Sequence, residues 1–143
     1  MHWITIAITT AALLGLYNFF IKLSAGHIHQ IAGAVLLQVV AALLGISCLV
    51  YLHLKGTQLE TSTKGLLFAT LAGISIGIAE ILTFYLFSKG ISASVGIPIL
   101  IGGSILVGIV LGLFFLKEAL SPLQYLGVFM IIIGAVLLAE KAT

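Results

Sequence analysis

The sequence predicts an all-α polytopic membrane protein with five transmembrane helices. Of its 143 residues, 62% are hydrophobic and only 7% are charged, whereas soluble domains carry roughly 25% charged residues. Five apolar segments alternate with short polar connections, and each is near the ~20 residues that a spanning helix needs. Backbone groups in hydrocarbon must be satisfied internally, which predicts helices. Runs such as MIIIGAVLLA lack the alternation of a membrane β-strand.

The connections between the spans are too short to hold a soluble domain, so residues 1–143 are expected to form a single transmembrane domain. The first span is expected to be retained, because it has neither a positive N-terminal region nor a cleavage site typical of a signal peptide. The predicted spans run from Trp3 to Phe20, from Ile31 to Leu54, from Gly65 to Phe87, from Ser94 to Leu116, and from Leu123 to Ala139.

The positive charges are balanced across the predicted membrane. The chain has six lysines and no arginine, and membrane orientation is normally set by an excess of Lys and Arg in cytoplasmic loops. Five crossings place Lys55, Lys64 and Lys117 on one side and Lys22, Lys89 and Lys141 on the other. The chain therefore inserts both ways up or takes its orientation from a partner, which suggests one half of a larger, antiparallel transporter. The alternative is a fixed orientation set by another feature, such as a fusion partner.

Glu80 is the one charged residue well inside a predicted span. A charge in hydrocarbon costs at least ~2.5 kcal/mol, and intramembrane acids usually face a cavity or a partner. Burial favours the neutral acid, which would suit a carboxyl that exchanges a proton for a cationic substrate. Helical spacing places Glu80 on one face with Gly73, Gly77, Thr83 and Phe84. The alternative is a protonated glutamate that hydrogen-bonds a neighbouring helix.

Three further side chains are candidates for a substrate cavity. Asn18 and Gln38 lie inside predicted spans, where each either lines a cavity or makes an interhelical hydrogen bond worth ~0.6 kcal/mol. Tyr85 lies near Glu80 in the sequence, and an aromatic face attracts a cationic substrate. The other aromatic residues near span ends are expected to form an interfacial belt; they are Trp3, Tyr17, Tyr51 and Tyr125.

Small residues predict where helices pack closely, because they let backbones approach in membranes. They recur at four-residue spacing in the third and fourth spans and seven residues apart in the fifth. Pro98 removes one helical hydrogen bond and is expected to kink or open the fourth span. The predicted packing residues are Ala69, Gly73 and Gly77, then Ser104, Gly108 and Gly112, then Gly127 and Gly134.

No residue pattern predicts enzyme chemistry or a cofactor. Cys48 is the single cysteine, which excludes an intrachain disulfide and most cysteine metal sites. His27 and His29 make a weak metal signal because no carboxylate or thiol is near them in the sequence. Lys117 and Glu118 are expected to be a surface pair at a helix end. We therefore expect a protein that is not an enzyme, with no metal and no nucleic-acid partner.

Two segments resemble the EamA-like type of the drug/metabolite transporter superfamily. The first helix ends in GLYNFFIKLSAG (Gly15–Gly26), which is similar to that family's glycine, small polar patch and closing lysine. The stretch from Ser94 through Pro98 to FFLKEALSPLQYLGVFMIIIGAVLLA (Phe114–Ala139) resembles the family's proline-bearing helix, its acidic loop E-x-L-[ST]-P and its glycine-spaced last helix, and the resemblance covers all five helices. Typical members carry two inverted five-helix repeats, so the chain resembles one such repeat.

The resemblance implies transport of a small metabolite or drug-like solute across a bacterial or archaeal plasma membrane. Gly127 and Gly134 resemble the dimer-contact pair of the related small multidrug resistance proteins. Those proteins keep an essential acid eight residues before the lysine that closes their first helix, where this chain has Leu14. Their proton–drug mechanism cannot be transferred by alignment, and Glu80 is our expected substitute. The alternatives are a heterodimer subunit of such a transporter and a non-transporting membrane scaffold or lipid-handling accessory.

Overall fold

The protein is all-helical in a computed structural model that describes residues 2–139. Five helices are long and apolar enough to cross a membrane, which is the architecture of an integral membrane protein. Lys141, counted above in the charge balance, lies outside the described residues. The helices are α1 (His2–Ser24), α2 (Gln30–Leu54), α3 (Thr63–Ser88), α4 (Ala93–Phe115) and α5 (Pro122–Ala139).

Helix boundaries agree with the predicted spans to within two residues, except that α1 continues to Ser24 instead of ending at Phe20. Lys22 stands in the last turn of α1, where a cation interacts favourably with the helix dipole, so the polar end remains helical. The chain then turns at Gly26, which has a φ of 90°. Ser62 begins α3 by accepting a hydrogen bond from the Gly65 N–H at 3.1 Å.

The helices group into two compact units. Residues 23–89 form one unit, and residues 2–22 with 90–139 form the other. In the first unit, α2 and α3 pack together as an antiparallel hairpin. Among the glycines of these two helices, Gly33 has the tightest contact: a Cβ added there would lie 2.6 Å from Cε1 of Phe84. Gly33 and Phe84 are both buried, so the missing Cβ is what lets the aromatic ring pack against α2.

In the second unit, α4 and α5 also pack against each other. A Cβ added at Gly102 would lie at an ordinary packing distance, 3.4 Å, from Cβ of Ala135.

Pro98 lies inside α4, which remains continuous, so the opening expected there is not seen. Pro98 is near the start of the helix, and it removes only the bond to the Ser94 carbonyl. α4 ends before Lys117, whose φ of 56° is left-handed.

The glycine pattern predicted helix contacts only in part. Within the described chain, Gly73, Gly108, Gly127 and Gly134 have no heavy atom within 4 Å of an added Cβ. Spacing along a helix shows which residues share a face, but it does not show whether another helix covers that face. Gly33, which belongs to no spaced pair, makes the tightest contact instead.

Most of the helical surface is apolar and uncovered by protein. Every residue from 39 to 54 in α2 and from 63 to 76 in α3 is exposed. Lipid tails are as apolar as leucine, so such side chains gain little from protein cover in a membrane. Cys48 is among these exposed residues, in agreement with a small lipid-facing residue.

Gly33→Ala is expected to destabilise the protein by about 1–3 kcal/mol, because the new methyl group would force the buried Phe84 ring to move. The measurement is the free energy of unfolding in an SDS titration of the detergent-solubilised protein. Gly45→Ala is the matched control on the same helix, because nothing lies within 4 Å of a Cβ there.

The Gly45→Ala variant should be unchanged or more stable by up to about 1 kcal/mol, the helix propensity difference. Combining Gly33→Ala with Phe84→Leu should cost less than the sum of the single changes, since the smaller side chain leaves room for the methyl group. Equal effects of the two glycine variants would show that the contact between Gly33 and Phe84 does not hold α2 against α3.

Candidate functional site

Glu80 lies on the buried stripe of α3. The stripe also contains Thr83, Phe84 and Phe87, which follow Glu80 at helical spacings of three, four and seven residues. Only 3% of the Glu80 surface is exposed, whereas the N-terminal half of α3 is exposed throughout. The shared face of Glu80, Thr83 and Phe84 predicted from the sequence is confirmed, and the acid is buried on it.

The Glu80 carboxyl has an atom with unused hydrogen-bonding capacity. Thr83 Oγ1 donates to the Ala79 carbonyl at 2.8 Å, so this neighbouring hydroxyl is directed to its own helix. Glu80 Oε2 is buried and accepts no hydrogen bond from any residue between 2 and 139. Buried polar atoms are nearly always hydrogen-bonded, and an exception needs an explanation.

A groove between α2 and α3 lies along the preceding turns of α3, and Glu80 is not among the residues that line it. Its volume is about 540 Å³, and Gln38, Thr70, Gly73 and Gly77 contribute to its lining. An added Cβ at Gly77 would lie 3.3 Å from Nε2 of Gln38, so the glutamine amide rests against the α3 backbone. The structure thus brings together Gln38, Gly73 and Gly77, and Glu80 lies one turn beyond Gly77 on the same helix.

Asn18 is buried near the end of α1, with 7% of its surface exposed. Its Nδ2 donates to the Leu14 carbonyl at 2.9 Å, so one amide hydrogen is used within the helix. α1 belongs to the unit that contains α4 and α5, whereas Gln38 and Glu80 belong to the α2–α3 unit. Asn18 therefore stays a separate candidate.

The structure does not bring Tyr85 to Glu80. Five residues of helix rotate a side chain by about 140° relative to the first, and Tyr85 is 46% exposed. The cation over its ring is the chain's own Lys89, whose Nζ lies 4.8 Å from the ring centroid. Lys55 lies over Tyr51 in the same way at the end of α2, at 4.7 Å. Tyr85 thus matches the interfacial pattern expected of the other tyrosines rather than a substrate contact.

The groove between α4 and α5 offers no polar side chain. Its volume is about 330 Å³, and Pro98, Gly102 and Gly134 line it together with aliphatic side chains. A solute bound there would be held by apolar contacts alone. Pro98 therefore shapes an apolar groove of its own unit.

Glu118 closes the end of α4 and is exposed. Its N–H donates to the Gly112 carbonyl at 3.1 Å, and its Oε2 would lie 2.8 Å from a Cβ at Gly112. The left-handed Lys117 makes this turn possible. The pair Lys117 and Glu118 thus terminates a helix, and Gly112 is buried by the returning carboxylate rather than by another helix.

The described residues contain no group of three or more His, Cys, Asp or Glu side chains that could hold a metal ion. His27 and His29 are both exposed.

Two residues of the α2–α3 pair were not singled out in the sequence. They are Gly33, against which the Phe84 ring packs, and Thr70, which lines the groove. Thr70 shares helical spacing with Gly73 and Gly77, so the face of α3 could have revealed it; Gly33 carries no such signal.

Comparison with known proteins gives one relative. No family model matches the chain, and no solved structure is similar to it. A protein of uncharacterized function from Methanocaldococcus jannaschii is 30% identical over 137 residues, which cover 95% of each chain. Because the similarity extends over nearly the whole length of both proteins, the chain belongs to the same family as this archaeal protein.

Proposed function

We propose that this protein transports a small organic solute across the membrane by alternating access, as an antiparallel homodimer of two five-helix chains. In this proposal the chain is one inverted-repeat half of a drug/metabolite transporter of the EamA-like type. Glu80 exchanges a proton for the solute, and Gln38 contributes to the solute path. The balanced lysines and the odd number of spans support the antiparallel arrangement.

The observation that carries the proposal is the buried Glu80 carboxyl. It lies inside a span, it is almost fully covered, and its Oε2 has no hydrogen-bond donor among residues 2–139. A glutamate kept for structure would use its oxygens in hydrogen bonds, because an unsatisfied polar atom in hydrocarbon is costly. Intramembrane acids are instead typical of proton relays and substrate paths.

The chemistry required of Glu80 is simple. A carboxyl is neutral when it is shut away from water, and it can release its proton when a cation or water reaches it. Alternating access would expose the site first to one side of the membrane and then to the other, so release and uptake of the proton occur on different sides. Transporters built from repeats place such sites near the bilayer midplane, at the repeat interface.

The fifth helix supports pairing with a second chain. α5 contains no buried residue, and the position of a Cβ at Gly127 faces open space among the described residues. Small residues on an uncovered helix permit close approach of another helix. A heterodimer with a different five-helix chain would use the same surface, and co-purification of a distinct small membrane protein would favour it.

Glu80→Gln is expected to abolish pH-driven solute flux and to leave the dimer intact, because glutamine has a similar shape but cannot release a proton. The measurement is pyranine fluorescence in proteoliposomes under an imposed pH gradient, during addition of a panel of small organic solutes that includes amines, amides and alcohols. Glu60→Gln is the matched control, since Glu60 is exposed in the connection before α3. Solute-dependent proton flux at the original rate in Glu80→Gln would remove Glu80 from the mechanism.

Glu80→Leu separates a functional acid from a structural one. Because Oε2 has no partner among residues 2–139, replacing the carboxyl with an apolar group should leave the free energy of unfolding equal or higher. An SDS titration in detergent micelles measures it. A loss of about 1–3 kcal/mol, the cost of a broken buried hydrogen bond, would support the structural alternative.

A further inference from the structure

We propose that the α2–α3 groove is the specificity site for the polar group of the solute, and that it selects an apolar molecule carrying an uncharged amide or hydroxyl. The groove is defined by Gln38, Thr70, Gly73, Ile74, Gly77 and Ile78. This inference rests on the proposed function, because it names the class of solute that the transporter takes. Gln38 is the residue that recognises the polar group of the solute.

The Gln38 amide is the polar group of the groove on the α2 side. The side chain is half-buried inside α2, about two turns from the start of the helix. Its amide touches Gly77, but no residue of the described chain hydrogen-bonds it. An amide presents two donors and a carbonyl acceptor, and Gln38 is one of the residues that line the groove.

Thr70 adds an acceptor on the opposite helix. Its Oγ1 donates to the Leu66 carbonyl at 2.8 Å, which commits the hydroxyl hydrogen and leaves the oxygen lone pairs for a donor. Thr70 lies two helical turns, about 10 Å along α3, from Gly77, so it faces a more distant part of the solute, while the hydrogen-bonding group itself meets the Gln38 amide. Primary amides and hydroxyls can both donate to and accept from that amide, whereas hydrocarbons can do neither.

The walls and floor of the groove determine the size and polarity of the remaining part of the solute. Ile74 and Ile78 supply aliphatic walls, and Gly73 leaves the α3 backbone accessible, with nothing within 4 Å of an added Cβ. The volume of about 540 Å³ lies within the usual range for small-molecule sites. A lipid tail would fill the space but would leave the Gln38 amide unpaired, which is unfavourable in hydrocarbon.

The test compares two photoreactive probes in phosphatidylcholine vesicles containing the full chain. One is an alkyl diazirine that ends in a primary amide, and the other is the same diazirine ending in a methyl group. Mass spectrometry measures labelling of residues 70–81. We expect the amide probe to label this segment at least about fivefold more, the effect of one hydrogen bond on occupancy. Equal labelling by both probes would overturn the proposal.

Variants connect the preference to the groove. Gln38→Leu should remove the preference for the amide probe, and Gln30→Leu, the same change at the start of α2, should keep it. Gly73→Leu provides a second variant, because its side chain would enter the open groove without meeting another described residue; it should abolish labelling by both probes. A preference that survives in Gln38→Leu and Gly73→Leu would contradict the proposal.

Two further results separate this inference from the proposed function. If a second copy of the chain covers the groove, neither probe labels it and a cysteine at position 74 cross-links two chains, which would overturn the inference. Repeating the labelling in Glu80→Gln separates the two claims. An amide preference without any solute flux would refute transport and keep the binding site, whereas flux without the preference would refute only the binding site.

Discussion

The absence of water in the hydrocarbon core is the constraint on which this structure depends. It requires every backbone group to be bonded within its segment, which makes the spans helices. It applies equally to side chains: most of the Ser and Thr hydroxyls described in the helices donate to a carbonyl of the preceding helical turn. They are Thr9, Thr10, Ser47, Thr70, Ser75, Thr83, Ser88 and Ser104. Short side chains can satisfy themselves in this way.

Gln38 and Glu80 are two longer polar side chains within the spans that make no such hydrogen bond to the preceding helical turn. Both belong to the α2–α3 hairpin, and both have polar atoms without a hydrogen-bond partner among the described residues. A packed scaffold would have little use for either, since leucine would serve at lower cost. Their occurrence in one helix pair, with Gly77 beside Gln38 and one turn before Glu80, is the arrangement on which the proposed solute path rests.

The sequence alone could predict the helices and the exceptional acid, but not the contacts. Apolar length and short polar connections give all five spans, and a single carboxyl within a span identifies Glu80. Three features depend on how helices pack: the Phe84 ring against Gly33, the amide of Gln38 against Gly77, and the cover over Glu80. Tyr85 shows the limit of sequence proximity, because five positions along a helix turn it away from Glu80 and toward Lys89.

The antiparallel dimer that we propose would join these observations, because an inverted second copy would complete a path that a single five-helix chain would leave uncovered. Membrane topology tests it most directly. Thr61→Cys in a Cys48→Ala background places one exposed thiol before α3 and keeps the helix cap at Ser62. With an impermeant thiol reagent on intact cells, balanced lysines predict about half labelling, rising to completion after permeabilisation. Complete labelling or none on intact cells would mean a single orientation and would contradict the homodimer.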